Sequence, residues 1–181
     1  MNNLNQYIQE KLKIGSKSKV NEKIKPQDAA ELKIEILKKI IINKETDFND
    51  IDISAVKDLS HLFEEQDITE IDISEWDVSH VESMRGMFQY CRYLKTCGDL
   101  SKWNVSNVVD MSWMFNGCQC LVKLGDLQNW EINDTKMKGA FQNCKRLKSL
   151  GNINHWRPKE SNYDIFTGSD INISSQPRKR V

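Results

Sequence analysis

The sequence predicts an α/β fold in which a single domain coils as a short solenoid. Each rung carries a strand and a short helix, and a capping helix precedes the first rung. Three observations point there. Trp76, Trp103, Trp130 and Trp156 recur at gaps of 27, 27 and 26 residues. Phe63, Phe88, Phe115, Phe141 and Phe166 step by 25, 27, 26 and 25. Cys91, Cys118 and Cys144 each follow their phenylalanine by three residues. A period this long implies stacked repeats, because one unit can bury its apolar face only against its neighbours.

The elements follow in order along the chain. Residues 1–25 read as a leader, with Leu4, Ile8 and Leu12 four apart on one helical stripe that Gly15-Ser16-Lys17 interrupts. A helix this short is marginal in water unless it docks on something. Residues 26–44 predict the capping helix: Pro26 suits a first turn, Leu32, Ile36, Leu37 and Ile40 supply an apolar face, and Lys38-Lys39 suits the C-terminal dipole. About five repeats fill residues 45–172. In each, an alternating segment such as Ile71-Asp72-Ile73-Ser74 predicts a strand. Val81, Met84, Met87 and Phe88 then lie at helical spacings, so 81–89 predicts a helix, with Ser79 and Glu82 as its capping box. Gly117, Asn143 and, as a poorer fit, Tyr90 occupy the place of a left-handed helix stop. Residues 173–181 form a basic tail that predicts disorder.

A formal net charge of zero conceals an asymmetry. Residues 1–44 hold ten Lys/Arg and five Asp/Glu, residues 45–82 hold thirteen Asp/Glu and only Lys57, and residues 83–181 hold fifteen basic and eight acidic residues. In a coil these blocks become an acidic end and a basic end, which steers charged partners. No run approaches the roughly 18 apolar residues of a membrane span. The N-terminus has no apolar core of a secretory signal. The expected location is therefore cytoplasmic, with the five cysteines reduced.

With these residues in view, Ile73-Ser74-Glu75-Trp76-Asp77-Val78-Ser79-His80-Val81-Glu82-Ser83-Met84-Arg85-Gly86-Met87-Phe88 resembles the unit of BspA-like leucine-rich-repeat proteins. Ser101-Lys102-Trp103-Asn104-Val105-Ser106 through Met111-Ser112-Trp113-Met114-Phe115 does the same. The likeness is dense over 70–120, fair over 50–69 and 121–156, and absent before 45. It implies a leucine-rich-repeat-like solenoid used for binding, on bacterial surfaces in many members, without enzymatic activity. The leader Asn5–Ile14 is similar to segments of small bacteriophage and prophage proteins, which implies a phage or bacterial setting.

The candidate sites follow from chemistry. Zinc needs four converging ligands, whereas one thiol per rung makes a line and no Cys-x-x-Cys exists, so the cysteines read as core filling. His61, His80 and His155 occupy different register positions, and no phosphate loop or metal motif is present. No cofactor, metal or catalytic residue is assigned, and the chain reads as a non-enzyme. The tryptophan column is either a core ladder or a binding stripe. Trp113 stands where other repeats hold Gly86 and Gly139, so it is expected to be exposed and to contact a partner. Glu64, Glu65, Asp67, Glu70, Asp72, Glu75 and Asp77 would favour a basic protein surface. The expected function is a protein–protein interaction module. The alternatives are a virion-associated structural protein and a nucleic-acid-binding accessory. The latter would use Lys136, Lys138, Lys145, Arg146, Lys148, Arg157 and Lys159, with Trp130 and Trp156 between them.

Overall fold

Asp28 starts the first element. Its backbone is extended, at φ −151, and its carboxylate accepts the Glu31 N–H at 2.8 Å, capping helix α1, Ala29–Lys38. The structure, a computed structural model, describes residues 23–159 and 164–171; the stripe at Leu4, Ile8 and Leu12 and the tail 173–181 lie outside those residues. Helix α1 buries Leu32 and Ile36 in the core, and Lys33 Nζ donates to the His61 carbonyl at 3.2 Å. The chain then widens into a π-helical turn, Lys39–Asn43, and leaves it through left-handed Lys44. Ile24, within the expected leader, pairs in parallel with Ile51.

From residue 45 onward the strand-plus-helix solenoid is corrected. The described residues contain isolated parallel bridges but no strand, and beyond α1 and the π-turn only two 3₁₀ turns, Leu100–Lys102 and Leu127–Asn129. Expected strands stop at one residue because a carboxylate turns the chain at once. The Asp72 carboxylate takes the Ser74 N–H at 2.9 Å directly after the bridge of Asp47 to Asp72. Asp99 and Asp126 do the same to Ser101 and Gln128, each at 3.0 Å, and so open the 3₁₀ turns.

The expected helix over 81–89 is a run of β-turns. Met87, Gln89 and Cys91 donate to the carbonyls of Met84, Gly86 and Phe88, three residues back. Between them, Met84, Gly86, Phe88 and Tyr90 donate to Asp110, Ser112, Met114 and Asn116 of the next repeat at 2.7–2.9 Å. An α-helix would send all of these groups four residues back. The turns also require left-handed residues every four positions: Gly86 and Tyr90 lie at φ +59 and +60, and Trp113 and Gly117 at +57 and +76. The expected capping box dissolves with the helix. Asp77 takes the Ser79 N–H at 3.0 Å, and Glu82 pairs with Lys57 at 2.8 Å.

Consecutive repeats nevertheless lie on one another. Ring centroids of Phe63, Phe88, Phe115, Phe141 and Phe166 follow at 4.9, 5.1, 5.6 and 5.8 Å with near-parallel planes. Trp103, Trp130 and Trp156 stack at 6.4 and 6.2 Å. The described residues thus form a pile of strandless turns around an aromatic and sulfur core. No helix among the described residues is long and apolar enough to cross a membrane.

Candidate binding surface

The tryptophan column resolves as a core ladder. Trp76, Trp103, Trp130 and Trp156 are all buried, and the indole N–H groups of Trp76 and Trp130 donate to the carbonyls of Phe48 and Leu100. Trp130 and Trp156 are wholly enclosed, so neither offers a stacking face between the basic side chains of the last turns. The thiols of Cys91, Cys118 and Cys144 donate to the carbonyls of Phe63, Phe88 and Phe115 of the preceding turn at 2.8, 3.1 and 3.1 Å. Burial pushes the Cys91 and Cys144 thiols up to about 12 and that of Cys118 well above the ordinary range.

Trp113 is half-buried rather than fully exposed. Its indole lies over Gly139 of the next turn, where a β-carbon would meet Cδ1 at 2.7 Å. The Arg85 guanidinium sits 4.3 Å from the ring centroid and the Lys138 ammonium 5.8 Å. Two turns back, the His61 ring lies over Gly86 in the same way. The column two residues before Phe63, Phe88, Phe115 and Phe141 therefore alternates a large side chain with a glycine. Arg85 and Lys138 had no special mark in the sequence, because the cation–π contact spans three turns and joins residues about a period apart.

The acidic candidates lie on the first two turns. Glu65, Asp67, Glu70, Glu75 and Asp77 are exposed, and Glu64 is half-buried beside His61 Nδ1 at 3.0 Å. Glu70 and Glu75 reach Lys95 and Lys102 of the following turn only at 3.8 and 3.6 Å. Glu65 and Asp67 have no ion-pair or side-chain hydrogen-bond partner among the described residues. Hydrogen bonds from the Ser79 hydroxyl and backbone hold the Asp77 carboxyl below its usual range, so it is charged at neutral pH. The structure brings Glu64, Glu65 and Asp67 onto one edge and places Glu70, Glu75 and Asp77 farther round the coil.

A shallow depression of about 360 Å³ runs across four turns, lined in part by Thr46, Glu70, Asp72, Thr96, Asp99 and Lys123. Its floor is open because Gly98 and Gly125 lie beneath the carboxylates of Asp72 and Asp99. For Asp72, burial opposes ionisation, but hydrogen bonds from Ser74 and Asn49 outweigh it and lower the pKa; for Asp99 the Ser101 N–H does so first. The sequence did carry a trace of this groove in its recurring Gly98-Asp99, Gly125-Asp126 and Gly151-Asn152 pairs.

His80 and His155 Nε2 lie 3.0 and 3.1 Å from the carbonyls of Ile53 and Trp130. Lys39, 6% exposed, is ion-paired with Glu45 and with Asp50 at 2.9 Å; burial works against its charge, and those carboxylates outweigh it and raise the pKa. No curated protein and no solved structure matches the chain. A family profile described as "Mycoplasma protein of unknown function, DUF285" does, over residues 35–158, from within α1 to the start of the last turn. With more than half its length matched, the chain belongs to the DUF285 family.

Proposed function

We propose that this protein is a non-catalytic protein-binding module that takes a basic protein surface on its acidic first turns. The observation that carries the reading is the exposed carboxylate set Glu70, Glu75 and Asp77, of which Glu70 and Glu75 reach lysines of the following turn only at 3.8 and 3.6 Å. Opposite potentials of this kind raise the rate of encounter and suppress wrong partners. Trp113, held by Arg85 and resting on Gly139, adds a rigid aromatic edge of the sort found at contact hot spots. The likeness of residues 70–120 to BspA-like units supports the same reading. Histidines and thiols engaged with backbone carbonyls favour scaffold roles over catalytic ones.

Affinity capture from the native cell, with the full chain as bait, tests this. A basic protein is expected to dominate the eluate and to be lost from Glu70→Lys/Glu75→Lys and from Trp113→Gly. Glycine suits the left-handed backbone there, so the second variant removes the indole without straining the fold. Particle components or nucleic acid in its place, or binding indifferent to these variants, would overturn the proposal.

A further inference from the structure

One edge of the pile, the segment following each phenylalanine, changes character in a definite order. In the first turn it presents Glu64, Glu65 and Asp67. The second presents Tyr90 and Tyr93, 42% and 55% exposed, with the exposed Arg92 between them. The third presents Gln119 and Val122, the latter 46% exposed, and the fourth presents the exposed Lys145 and Arg146. Backbone hydrogen bonds fix these as successive floors: Glu65 N–H to the Gln89 carbonyl, Tyr90 N–H to Asn116, Gly117 N–H to Gln142, and Val122 N–H to Lys95. The Tyr90 ring leans onto Gly117, where a β-carbon would lie 2.7 Å from Cδ1, so the apolar patch is continuous between the second and third turns.

An edge that runs from acidic, through an aromatic and aliphatic middle with one arginine, to basic is complementary to itself once inverted. A two-fold axis between the second and third turns sets the first turn of one molecule against the fourth of another, and the second against the third. We infer that this edge is an isologous homodimer interface, with a second, antiparallel copy of the chain as its occupant. Tyr93 of each copy packs on Val122 of the other, and Glu65 and Asp67 of each face Lys145 and Arg146 of the other. Charge complementarity selects a second copy over a foreign basic protein here. A basic protein attracted to the first turn would be repelled by Lys145 and Arg146 farther along the same edge, whereas the chain itself is neutral and carries both signs in mirrored order. The interface is short, four turns at ring spacings of 4.9–5.6 Å, so it belongs to the weak class that buries less than ~1,200 Å². This inference rests on the reading of the protein as a binding module and names one of its partners; it does not use Trp113, Glu70 or Glu75.

Sedimentation velocity of the full chain, from about 1 to about 200 µM, spans the range in which so small an interface associates. A dimer is expected in low salt, dissociating in about 1 M salt, where charges are screened within ~3 Å. Glu65→Lys/Asp67→Lys is expected to sediment as a monomer. Adding Lys145→Glu/Arg146→Glu to that variant restores the dimer, because the swapped edge is again complementary to itself. Tyr93→Ser weakens association about tenfold. All of these side chains except Val122, which is left untouched, are polar or aromatic groups at the surface, and thermal melting of each variant checks that the pile is intact. A monomer under every condition, or a dimer indifferent to charge reversal, overturns the inference. A chain that stays monomeric yet captures a basic protein through Glu70, Glu75 and Trp113 sinks the dimer and leaves the binding reading standing; a dimer that captures nothing does the reverse.

Discussion

Replacing Gly139 by alanine would set a methyl group 2.7 Å from Trp113 Cδ1 on a backbone held at φ +63. The left-handed conformation alone costs a non-glycine residue about 1–2 kcal/mol, and the indole must also give way. Gly139→Ala should therefore destabilise the protein by about 2–3 kcal/mol, and by only about 1–2 kcal/mol in a Trp113→Gly background where the methyl meets no ring. Urea melts of the four proteins in this cycle measure the coupling, and additive costs would show that the indole does not rest on Gly139. The buried thiols give a second test. Burial raises their pKa values above the ordinary thiol value of 9.0 in the folded state, to about 12 for Cys91 and Cys144. The folded state thus binds these protons more tightly than the unfolded one. Their stabilising effect is complete below pH 9 and is lost as pH rises from 9 towards 12, by roughly 1 kcal/mol per buried thiol at pH 10. The urea midpoint should fall between pH 8 and pH 10, and Cys144→Ala should reduce that fall; an equal drop in both proteins would assign it to other groups.

At the scale of an element, Asp99 turns the chain out of the bridge region and into Leu100–Lys102. Asp99→Ala should cost about 1 kcal/mol, as the loss of a capping acceptor does, while Asp99→Asn keeps the acceptor and most of the stability. Chemical denaturation of the pair reads the difference directly. These turns also explain what could be read before the structure. Val81, Met84, Met87 and Phe88 were legible as core residues, and all four are buried. Their backbone was not legible, because spacings of three and four suit a run of overlapping β-turns as well as a helix. The left-handed positions were half visible. Gly117 and Asn143 announced themselves, whereas Glu65 and Trp113 adopt φ of +57 with residue types that rarely go there. Strand length differs from the expectation for a related reason: Ile71-Asp72-Ile73-Ser74 has the alternation of a strand, but its aspartate is an Asx-turn former that ends the pairing. On the candidate surface, exposure of the carboxylates followed from composition. The Trp113 setting did not, since it depends on Arg85 and Lys138 from turns on either side.

Across the whole molecule, the alternation His61, Gly86, Trp113, Gly139 down one column limits how the array can change length. Cutting out residues 64–88 removes one full turn and joins Phe63 to Gln89, which drops the imidazole of His61 directly against the indole of Trp113 with no glycine to receive it. Cutting out 64–115 removes two turns and returns His61 to a glycine, Gly139. The shorter protein with the larger excision should keep a cooperative thermal transition, while the single-turn excision should lose it, and calorimetry of both separates the outcomes. Duplication that copies a turn bearing the large side chain must then copy a glycine turn with it, so that the natural hereditary unit is a couplet of about fifty residues, double the period that the phenylalanines display.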